Sequence, residues 1–528
     1  MSGVRFDTVI VGAGSAGCVL ANRLSADPAH RVCLIEAGPR DRSPLIHVPA
    51  GILGTIPRRR FNWAFETEPQ PGLGGRRGYQ PRGRVLGGSS SINAMIYTRG
   101  HPRDYDDWAA LGNPGWSYAD VLPLFRLSED QQRGPDEFHG TGGELTVSDL
   151  ASPAAASHAF VEAAIRCGLP HNRDFNGASQ EGAGLYQVTQ RRGRRCSAAV
   201  AFLHPVLSRP NLTVLTGHHA TRVAWGVQRA TGVEVEGPGG GALVDAAREV
   251  ILCAGTFGSP QLLLLSGIGP REELARHGIE LRHELPGVGA NFVDHVDLAL
   301  VYRSSDKRLM GITPRTALRA IPGYFEWRSR GTGLLTTNYA EAGAFVRTRP
   351  DLDRPDIQLH FVIGLVDDHA RRLHPGYGVT CHVGVLRPRS RGSVRLRSAD
   401  PREAPCIDPG FLADDDDLST LVAGVKRARE VMDAAPLAVH RDGEIFAEGD
   451  GDEALVRQIR RRADTIYHPV GTCHMGPDTM SVVDASLRVR GVGGLSVVDA
   501  SVMPTPVGGN TNAPTVMIAE QAARARVG

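Results

Sequence analysis

The chain has 528 residues, of which 41% are hydrophobic and 22% charged, and these values exclude a disordered chain. Its length suggests about two to four structural units and excludes a single small binding module. With 59 basic against 57 acidic residues the net charge is only +2, so no overall field attracts nucleic acid or an anionic membrane, and we expect no nucleic-acid partner.

The location is predicted from cysteine usage and from the first residues. The eight cysteines are scattered without a Cys-x-x-Cys pair, which favours a reduced, intracellular protein. Residues 1–7 lead straight into an apolar strand, so we expect no signal peptide and a cytoplasmic location. The most apolar later stretch, Gln261 to Ile268, is far shorter than the about 20 residues that cross a bilayer. Any membrane contact is therefore expected to be peripheral, at the inner membrane.

The first motif is a glycine turn between an apolar strand and an amphipathic helix. Gly12 permits the tight turn, Gly14 lets the backbone approach a pyrophosphate, and Gly17 lets helix and strand pack closely. A second strand ends at Glu36, where a carboxylate can bind both hydroxyls of a ribose. The pattern predicts a βαβ unit that binds a dinucleotide, but it does not distinguish NAD from FAD.

Two further segments contain small residues that would suit a flat ligand. Residues 82–95 are rich in Gly and Ser, and the amide of Asn93 could reach the polar edge of such a ligand, although an ordinary helix-capping loop would look the same. Residues 248–255 predict a buried strand that ends at Gly255. A helix is then predicted to start with Ser259 as its cap and Pro260 in its first turn.

Residues 301 to 464 have a different texture, with short β-rich runs and no glycine motif. The runs 344–347, 356–362 and 392–397 predict antiparallel strands, the last because its residues alternate with a period of two. We therefore expect a second domain built on an antiparallel sheet. Asp414 to Asp417 are interpreted as a solvated helix start. The arginine runs 58–60 and 191–195 are interpreted as exposed loop charge.

The C-terminal residues contain most of the candidate chemistry. Residues 467–476 hold two histidines and a cysteine, but the intervening Pro and Gly prevent a helical pair of metal ligands, so we expect no metal. A strand is predicted to end at Asp499. Asn512 is predicted to cap a final helix that has Pro514 in its first turn.

Taken together, the N-terminal glycine turn with Glu36, residues 87–93, residues 255–270, His468-Pro469 and residues 510–514 resemble the glucose-methanol-choline (GMC) oxidoreductases over nearly the whole chain. The resemblance implies an α/β fold (α+β overall) of the GMC oxidoreductase and p-hydroxybenzoate hydroxylase-like type. In it, a Rossmann-like FAD-binding domain would comprise residues 1–155, 205–300 and 465–528. A substrate-binding domain would comprise residues 156–204 and 301–464.

The resemblance also implies the site. His468 is similar to the family's catalytic histidine and Asn510 to its partner, a combination similar to the choline dehydrogenase and alcohol dehydrogenase branch. Some members link FAD covalently to a histidine of the Gly-Gly loop, but Ile92 occupies that place here, so noncovalent FAD is expected. The cofactor-binding residues that it implies are Gly12, Gly14, Ser15, Ala16, Gly17, Glu36, Ala37, Trp63, Arg84, Leu86, Gly87, Gly88, Ser91, Asn93, Ala94, Met95, Val223, Ala254, Gly255, Asp499, Ala500, Asn510, Thr511 and Pro514.

The implied activity is oxidation of a primary alcohol or polyol, with His468 as base, hydride transfer to flavin N5, and oxygen, a quinone or a dye as electron acceptor. Choline is a second possible substrate, for which Trp63, Tyr97 and Tyr339 could form an aromatic cage balanced by Glu341. Three different functions also fit the motifs: a hydroxynitrile lyase on the same fold, a flavin-binding protein without catalysis, and a nicotinamide-dependent dehydrogenase.

Overall fold

The N-terminal apolar strand lies in the middle of a seven-stranded sheet, in a computed structural model that describes residues 5–449 and 451–527. The strands nearest the glycine turn are parallel, and an antiparallel extension completes the sheet. In spatial order the strands are Leu212–Thr216, Val32–Glu36, Arg5–Val11, Gly240–Leu252, Ala230–Gly237 and His219–Trp225, with Leu495–Val497 paired to Gly240–Leu252.

The predicted βαβ unit is present, as the strand Arg5–Val11, the helix Ser15–Leu24 and the strand Val32–Glu36. Every residue of Val32–Glu36 is buried, as expected for a parallel strand covered on both faces. The turn after Arg5–Val11 therefore opens at the carboxyl edge of the parallel strands, where α/β sheets bind ligands.

The second sheet is also seven-stranded and is antiparallel throughout, which confirms the predicted second architecture. In spatial order its strands are Asp464–Thr465, Val296–Ser304, Gly376–Val385, Ile357–Val362, Ala340–Val346 and Gly182–Leu185, with Gly311–Ile312 paired to Gly376–Val385. The strand Val296–Ser304 continues across residue 300, where we predicted a domain boundary. The boundaries themselves remain a prediction.

The remaining strands of the described residues form two-stranded sheets. The predicted strand at 392–397 forms as Ser393–Arg395, but it pairs with Cys406–Asp408 and not with the second large sheet. The other pairs are Ile268–Gly269 with His283–Glu284, Phe65–Glu66 with Tyr79–Gln80, Glu129–Gln131 with Leu145–Val147, and Gln190–Arg191 with Arg194–Arg195.

Helices cover both sheets. They are Ser15–Leu24, Pro44–His47, Ile52–Thr55, Pro102–Ala110, Tyr118–Ser128, Ala155–Arg166, Gly255–Leu265, Arg271–Arg276, Pro314–Arg330, Asp415–Asp433, Asp452–Arg462 and Asn512–Val527, with a π-helical turn at Ala199–Leu203.

Three local predictions need correction. The helix predicted to start at Ser259 begins at Gly255, because the carboxylate of Asp499 accepts from the Gly255 N–H and so takes the capping role. Asn512 is the first residue of the final helix, and its Oδ1 accepts from Ser15 Oγ at 2.7 Å. Asp414 does cap the helix Asp415–Asp433, but Asp417 is buried rather than solvated, because it accepts the backbone N–H groups of residues 389 and 390.

The arginine run 191–195 contains a further correction. Arg191, Arg192 and Arg194 are exposed as predicted, whereas Arg195 is buried with only 2% of its surface exposed. Its guanidinium donates to the backbone oxygens of Ile46 and of residues 90 and 93, so it fastens the Gly- and Ser-rich segment to its neighbours. Burial lowers the pKa of Arg195 to about 9.

The first and last long helices of the chain are joined by an ion pair. Arg23 donates to Glu520 through Nε at 2.9 Å and through Nη2 at 2.7 Å, and it also pairs with Glu144. The Glu520 side chain is almost fully buried, so its carboxylate depends on this partner. The contact therefore holds the first and last long helices of the chain together.

We expect Arg23→Met to destabilise the protein by about 3 kcal/mol, because it leaves the buried carboxylate of Glu520 unpaired. Chemical denaturation measures the change. The matched control is Arg271→Met, which breaks an ion pair with Glu284 whose two side chains are about half exposed or more, and it should cost less than about 1 kcal/mol. Equal small losses for the two variants would contradict the assigned role of Arg23.

Candidate active site

One large cavity, of about 840 Å³, lies between the carboxyl edge of the parallel strands and the antiparallel sheet. Both sheets contribute to its wall, as do the glycine turn, the Gly- and Ser-rich segment and the C-terminal residues. Its volume is within the range of about 300–1,000 Å³ that is typical of ligand and cofactor sites.

The glycine turn is shaped by close backbone contacts. A Cβ at Gly12, where φ is +101°, would lie 2.4 Å from the Cys253 carbonyl oxygen, and one at Gly17 would lie 1.9 Å from the Gly12 oxygen. A Cβ at Gly14 would instead meet no atom within 4 Å. Gly12 and Gly17 are therefore required by packing, whereas Gly14 keeps the cavity wall low where a phosphate could approach.

Glu36 lines the cavity at the end of the second parallel strand, and its carboxylate is already held by the backbone. Oε2 accepts from the Ala13 N–H at 3.0 Å, and Oε1 accepts from the Gly38 N–H at 2.8 Å. Burial raises the pKa of Glu36 to about 7, and these two N–H groups and the charge of Arg84 oppose that rise. Each oxygen retains a lone pair with which it could accept from a ribose hydroxyl.

The Gly- and Ser-rich segment packs directly on the glycine turn. A Cβ at Gly88, where φ is +54°, would lie 2.7 Å from the Cα of Gly14, so only glycine fits this contact. Asn93 lines the cavity, and its Oδ1 accepts from the N–H of Met95 and from Arg195. The segment is thus a rigid part of the wall.

Two long helices begin at the cavity. The Ser15 hydroxyl links the start of Ser15–Leu24 to Asn512 at the start of Asn512–Val527. Their unpaired backbone N–H groups and their dipoles favour negative charge at this place. Asp499 Oδ2, which accepts from the Gly255 N–H at 2.9 Å and from Ser259 Oγ at 2.6 Å, occupies the start of a third helix.

Most predicted cofactor-binding residues lie together on the cavity wall, and the other six do not line it. Those on the wall are Gly12, Gly14, Ser15, Ala16, Glu36, Ala37, Trp63, Arg84, Gly88, Asn93, Ala94, Met95, Ala254, Gly255, Asp499, Ala500, Asn510 and Thr511. Those off the wall are Gly17, Leu86, Gly87, Ser91, Val223 and Pro514. On the strand that carries Val223, the residues that line the cavity are His219 and Ala220.

His468 and Asn510, which are 42 residues apart in sequence, meet at the antiparallel-sheet end of the cavity. Asn510 Nδ2 lies 3.0 Å from His468 Nε2. The orientation of the amide is set on its other side, where Oδ1 accepts from Thr98 Oγ1 at 3.1 Å and from Gln358 Nε2 at 3.3 Å. The amide therefore presents its donor to His468, and His468 Nε2 is the accepting nitrogen of the ring.

A second histidine, His295, fixes the other side of this ring. Its Nδ1 lies 3.1 Å from His468 Nδ1, and the two rings are nearly perpendicular at 85°. Since Nε2 of His468 accepts, the neutral ring carries its proton on Nδ1 and donates it to His295. The pair thus leaves a basic nitrogen of His468 directed towards Asn510 and the cavity.

The surroundings favour a neutral His468. Burial holds its pKa well below the usual range, and His295, His360 and Arg82 lower it further. The backbone N–H of His468 donates to Asp294 Oδ1 at 2.9 Å, and burial raises the pKa of Asp294 to about 6. The site therefore holds an uncharged imidazole at neutral pH.

Backbone strain adjoins this histidine. Tyr467 has a φ of +75°, which is unfavourable for a bulky residue. Its N–H donates to Thr465 Oγ1 at 2.7 Å and its carbonyl accepts from Arg82 Nη1 at 3.0 Å. These two bonds hold the strained turn that directs His468 into the cavity.

The wall fits a dinucleotide. Arg82 lines the cavity with Nε and Nη2 buried and without a hydrogen-bond partner among the described residues. A Cβ at Gly255, as at Gly14, would meet nothing within 4 Å, so the backbone is open to a ligand in both places. The glycine turn could hold the diphosphate and Glu36 a ribose, while Arg82 offers donors to a polar or anionic group.

Sequence reasoning missed several residues around the reacting groups. Two of them, His295 and Asp294, hydrogen-bond to His468, and two, Thr98 and Gln358, hydrogen-bond to Asn510. A fifth, Asn512, accepts a hydrogen bond from the Ser15 hydroxyl. The available signal was the adjacent pair Asp294-His295 after a short apolar run. Without the fold, nothing in the sequence places this pair next to residue 468.

The aromatic cage considered for a quaternary ammonium is not assembled. Trp63 and Tyr339 line the cavity, but Tyr97 and Glu341 do not. One face of Trp63 lies under the Arg84 guanidinium at 4.8 Å, and Glu341 is buried and accepts from the Ala154 N–H and from Ser157 and Thr337.

The structure also bears on metal binding and on membrane spanning. Among residues 5–449 and 451–527, no group of three or more His, Cys, Asp or Glu side chains is placed to hold a metal ion. Within the part of the chain that the structure describes, no helix has the length and hydrophobicity needed to cross a membrane.

Known proteins resemble this chain over almost its whole length. It is 49% identical to an alcohol dehydrogenase [acceptor] of Pseudomonas putida, with 98% of this chain and 95% of that protein covered. It is 43% identical to the mitochondrial choline dehydrogenase of Mus musculus, with 98% and 89% covered. These relatives are oxidoreductases that act on alcohols, and this chain is one as well.

Solved structures agree with the sequence relatives. Pyridoxine 4-oxidase from Mesorbium loti matches with a TM-score of 0.89 and 33% identity over 99% of both chains. Formate oxidase from Aspergillus oryzae RIB40, crystallised in a study of FAD modification, matches with a TM-score of 0.92 and 28% identity over 99% of this chain and 98% of that one. The cofactor of this chain is FAD. Family models described as GMC oxidoreductase match residues 6–297 and 388–519, and the chain belongs to the GMC oxidoreductase family.

Proposed function

We propose that the protein oxidises a primary alcohol at the His468–Asn510 pair and binds FAD noncovalently along the wall formed by the glycine turn and the Gly- and Ser-rich segment. The observation that carries this proposal is the placement of a neutral, accepting His468 Nε2 beside the amide donor of Asn510 in the dinucleotide-sized cavity.

The two side chains divide the work on the alcohol. His468 Nε2 accepts the hydroxyl proton, while the carbinol hydrogen leaves with its electron pair to the flavin, which supplies the hydride acceptor when bound. The substrate oxygen inserts between Nε2 and the Asn510 amide, so the amide proton turns from the imidazole to the developing alkoxide. His295 keeps the accepting nitrogen directed at the substrate, since it occupies the Nδ1 proton of His468.

The apolar residues of the cavity wall favour an alcohol with an apolar chain over a polyol. They include Ile96, Val362, Val366 and Ile466, together with the ring of Tyr339. Choline is less favoured because the proposed aromatic cage is incomplete. A hydroxynitrile lyase on this fold would leave the yellow colour unchanged when substrate is added without oxygen, whereas an alcohol oxidoreductase bleaches.

The electron acceptor, the location and the domain boundaries remain predictions. We propose oxygen, a quinone or a dye as acceptor, and a cytoplasmic protein with a peripheral contact to the inner membrane. We also propose an FAD-binding unit of residues 1–155, 205–300 and 465–528 and a substrate-binding unit of residues 156–204 and 301–464.

Acid denaturation should release the flavin into the supernatant. Ile92, which lines the cavity at the place of the family's histidyl link, has no nucleophilic atom. The absorption spectra of supernatant and precipitate after acid treatment measure the partition. Flavin that stays with the precipitated chain would show a covalent link through another wall residue, of which His219 is one candidate.

Glu36→Ala should weaken FAD binding by about 1.5–3 kcal/mol, roughly a tenfold to hundredfold higher Kd, because charge-assisted hydrogen bonds to the ribose are lost. Flavin occupancy and Kd, measured by fluorescence on reconstitution, test this, and the alcohol preference should not change. Glu36→Gln is the matched control, since it retains one acceptor for the Ala13 or Gly38 N–H and should bind FAD better than Glu36→Ala. Wild-type affinity in Glu36→Ala would refute the assignment.

His468→Ala should slow anaerobic bleaching of the flavin by alcohol about 10²–10⁴-fold, because the base is lost. Asn510→Ala should raise the activation free energy of flavin reduction by about 2.7–4 kcal/mol, because one hydrogen-bond donor to the developing alkoxide is lost. Stopped-flow absorbance isolates this step from reoxidation. The exposed His171→Ala serves as control and should bleach at the wild-type rate. If His468→Ala bleached as fast as wild type, the base would lie elsewhere.

The pH profile provides an independent check of the same assignment. The pKa of His468 lies well below 6.5, so its imidazole is already neutral at pH 6.5. The part of the bleaching rate that depends on this base should therefore rise with pH and reach its plateau below pH 6.5. Asn510→Ala should keep a rise of this kind, since an amide does not itself titrate and the base is still present. A separate rise near pH 6 would report Asp294, and Asp294→Asn should remove it.

A further inference from the structure

The helix Pro314–Arg330 presents an apolar face to solvent. Leu318, Ile321 and Phe325 are 70%, 62% and 66% exposed, and Tyr324 beside them is 49% exposed. The first three are spaced i, i+3 and i+7, so they form one ridge along the helix. An apolar ridge of this kind on a protein surface usually marks an interaction site.

The opposite face of the same helix holds it to the protein, so the ridge points directly outward. Gly323 and Trp327 are buried, and the Trp327 indole N–H donates to the Gly193 carbonyl at 2.7 Å. Thr313 caps the start of the helix through the N–H of Thr316 at 3.1 Å, and Gly331 ends it with a φ of +70°. The ridge is therefore carried on a well-anchored helix and not on a loose loop.

Cationic side chains surround this ridge. Arg315, Arg328 and Arg330 are exposed on the helix, and Glu326 is its single acidic residue. The adjoining hairpin Gln190–Arg195 adds the exposed Arg192 and Arg194 to this surface, because the backbone of Arg192 touches Gly331 and the Arg194 guanidinium lies 5.0 Å from the Trp327 ring. The loop before the helix contributes the exposed Lys307. The charge of this surface is thus local, since the whole chain is nearly neutral.

We propose that the helix Pro314–Arg330 lies flat on an anionic lipid bilayer, with Leu318, Ile321 and Phe325 among the acyl chains and the flanking arginines at the phosphate headgroups. An interfacial helix combines an apolar face, basic flanks and a modest overall hydrophobicity in this way. The proposal deepens the peripheral contact proposed above and is independent of the chemistry in the cavity.

A second copy of the chain suits this surface less well. A symmetric contact would bring the arginines of two helices together, and like charges oppose such a contact. The ridge of three side chains, even with Tyr324 beside it, also falls short of the roughly 20–30 residues that each partner contributes to a standard interface. Anionic headgroups, in contrast, complement the basic flanks.

The same surface adjoins an opening of the cavity. The turn Leu334–Thr336 that follows the helix packs against the turn Pro49–Gly51. The next residues of that segment include Leu53 and Arg59, which line the cavity, and Leu53 is 37% exposed. A bilayer under the helix would therefore lie close to one entrance of the cavity, where an apolar alcohol or acceptor dissolved in lipid could enter.

Vesicle sedimentation with the full-length, flavin-loaded protein tests the proposal. The vesicles are phosphatidylcholine alone and a 3:1 mixture of phosphatidylcholine and phosphatidylglycerol, at about 0.05 M and 0.5 M salt. Wild type should bind the mixed vesicles at low salt and lose at least about tenfold in affinity at high salt or on neutral vesicles.

The variant Leu318→Ser/Ile321→Ser/Phe325→Ser should lose at least about tenfold in vesicle affinity, since it removes the inserted side chains. Arg315→Gln/Arg328→Gln should bind more weakly and with less dependence on salt. Val227→Ser/Leu243→Ser is the matched control, because it removes exposed apolar side chains from a turn and a strand of the first sheet, and it should bind as wild type does.

Equal vesicle binding by the triple-serine variant and wild type, or no binding by wild type, would overturn the proposal. Sedimentation velocity tests the alternative that a second copy of the chain covers the ridge. A wild-type dimer that becomes monomeric in the triple-serine variant would assign the ridge to that second copy and overturn the proposal. Anaerobic bleaching by alcohol is measured on the same samples. The triple-serine variant should bleach normally, so failure of docking and failure of the proposed alcohol oxidation are distinguishable.

Discussion

The site depends on holding together segments that are far apart in the sequence. Ser15 and Asn512 join the first and last long helices, Gly88 packs on Gly14, and Gly12 packs on Cys253. In the last two contacts the approach is so close that a Cβ would overlap the facing backbone. The wall is therefore a junction of backbones, and its shape follows from where glycine is placed more than from which side chains face the cavity.

Burial controls the chemistry of the two ionisable groups at the ends of this wall, in opposite directions. Desolvation disfavours the charged form of either group, so it raises the pKa of Glu36 and lowers that of His468. For His468 this effect keeps the imidazole neutral, so that Nε2 has a free lone pair for the proton of an alcohol. For Glu36 the N–H groups of Ala13 and Gly38 offset part of the desolvation. The carboxylate is thus the hydrogen-bond acceptor for two backbone N–H groups of the turns that flank it.

Local patterns predicted the βαβ unit, the antiparallel strands of the second sheet and the roles of the glycines in the N-terminal turn. Each of these follows from periodicity or from backbone geometry within a few residues. The predictions that failed involved tertiary partners. Asp499, and not Ser259, caps the helix at Gly255, and Arg195 is buried although its neighbours in the same run are exposed. The position of His295 beside His468 likewise depends on the antiparallel sheet, which brings together strands separated by more than 160 residues.

The exposure of Leu318, Ile321 and Phe325 likewise depends on tertiary contacts. Periodicity in a sequence reports that a helix is amphipathic, but it does not report which face the protein covers. Here the protein covers the face of Gly323 and Trp327, where the indole N–H donates to the Gly193 carbonyl. The bulkier apolar face is left outward beside the arginines. An apolar alcohol that enters the cavity would have low solubility in water and would concentrate in a bilayer. An enzyme that rests on the bilayer next to its cavity entrance would therefore take the alcohol from the phase in which it is most abundant.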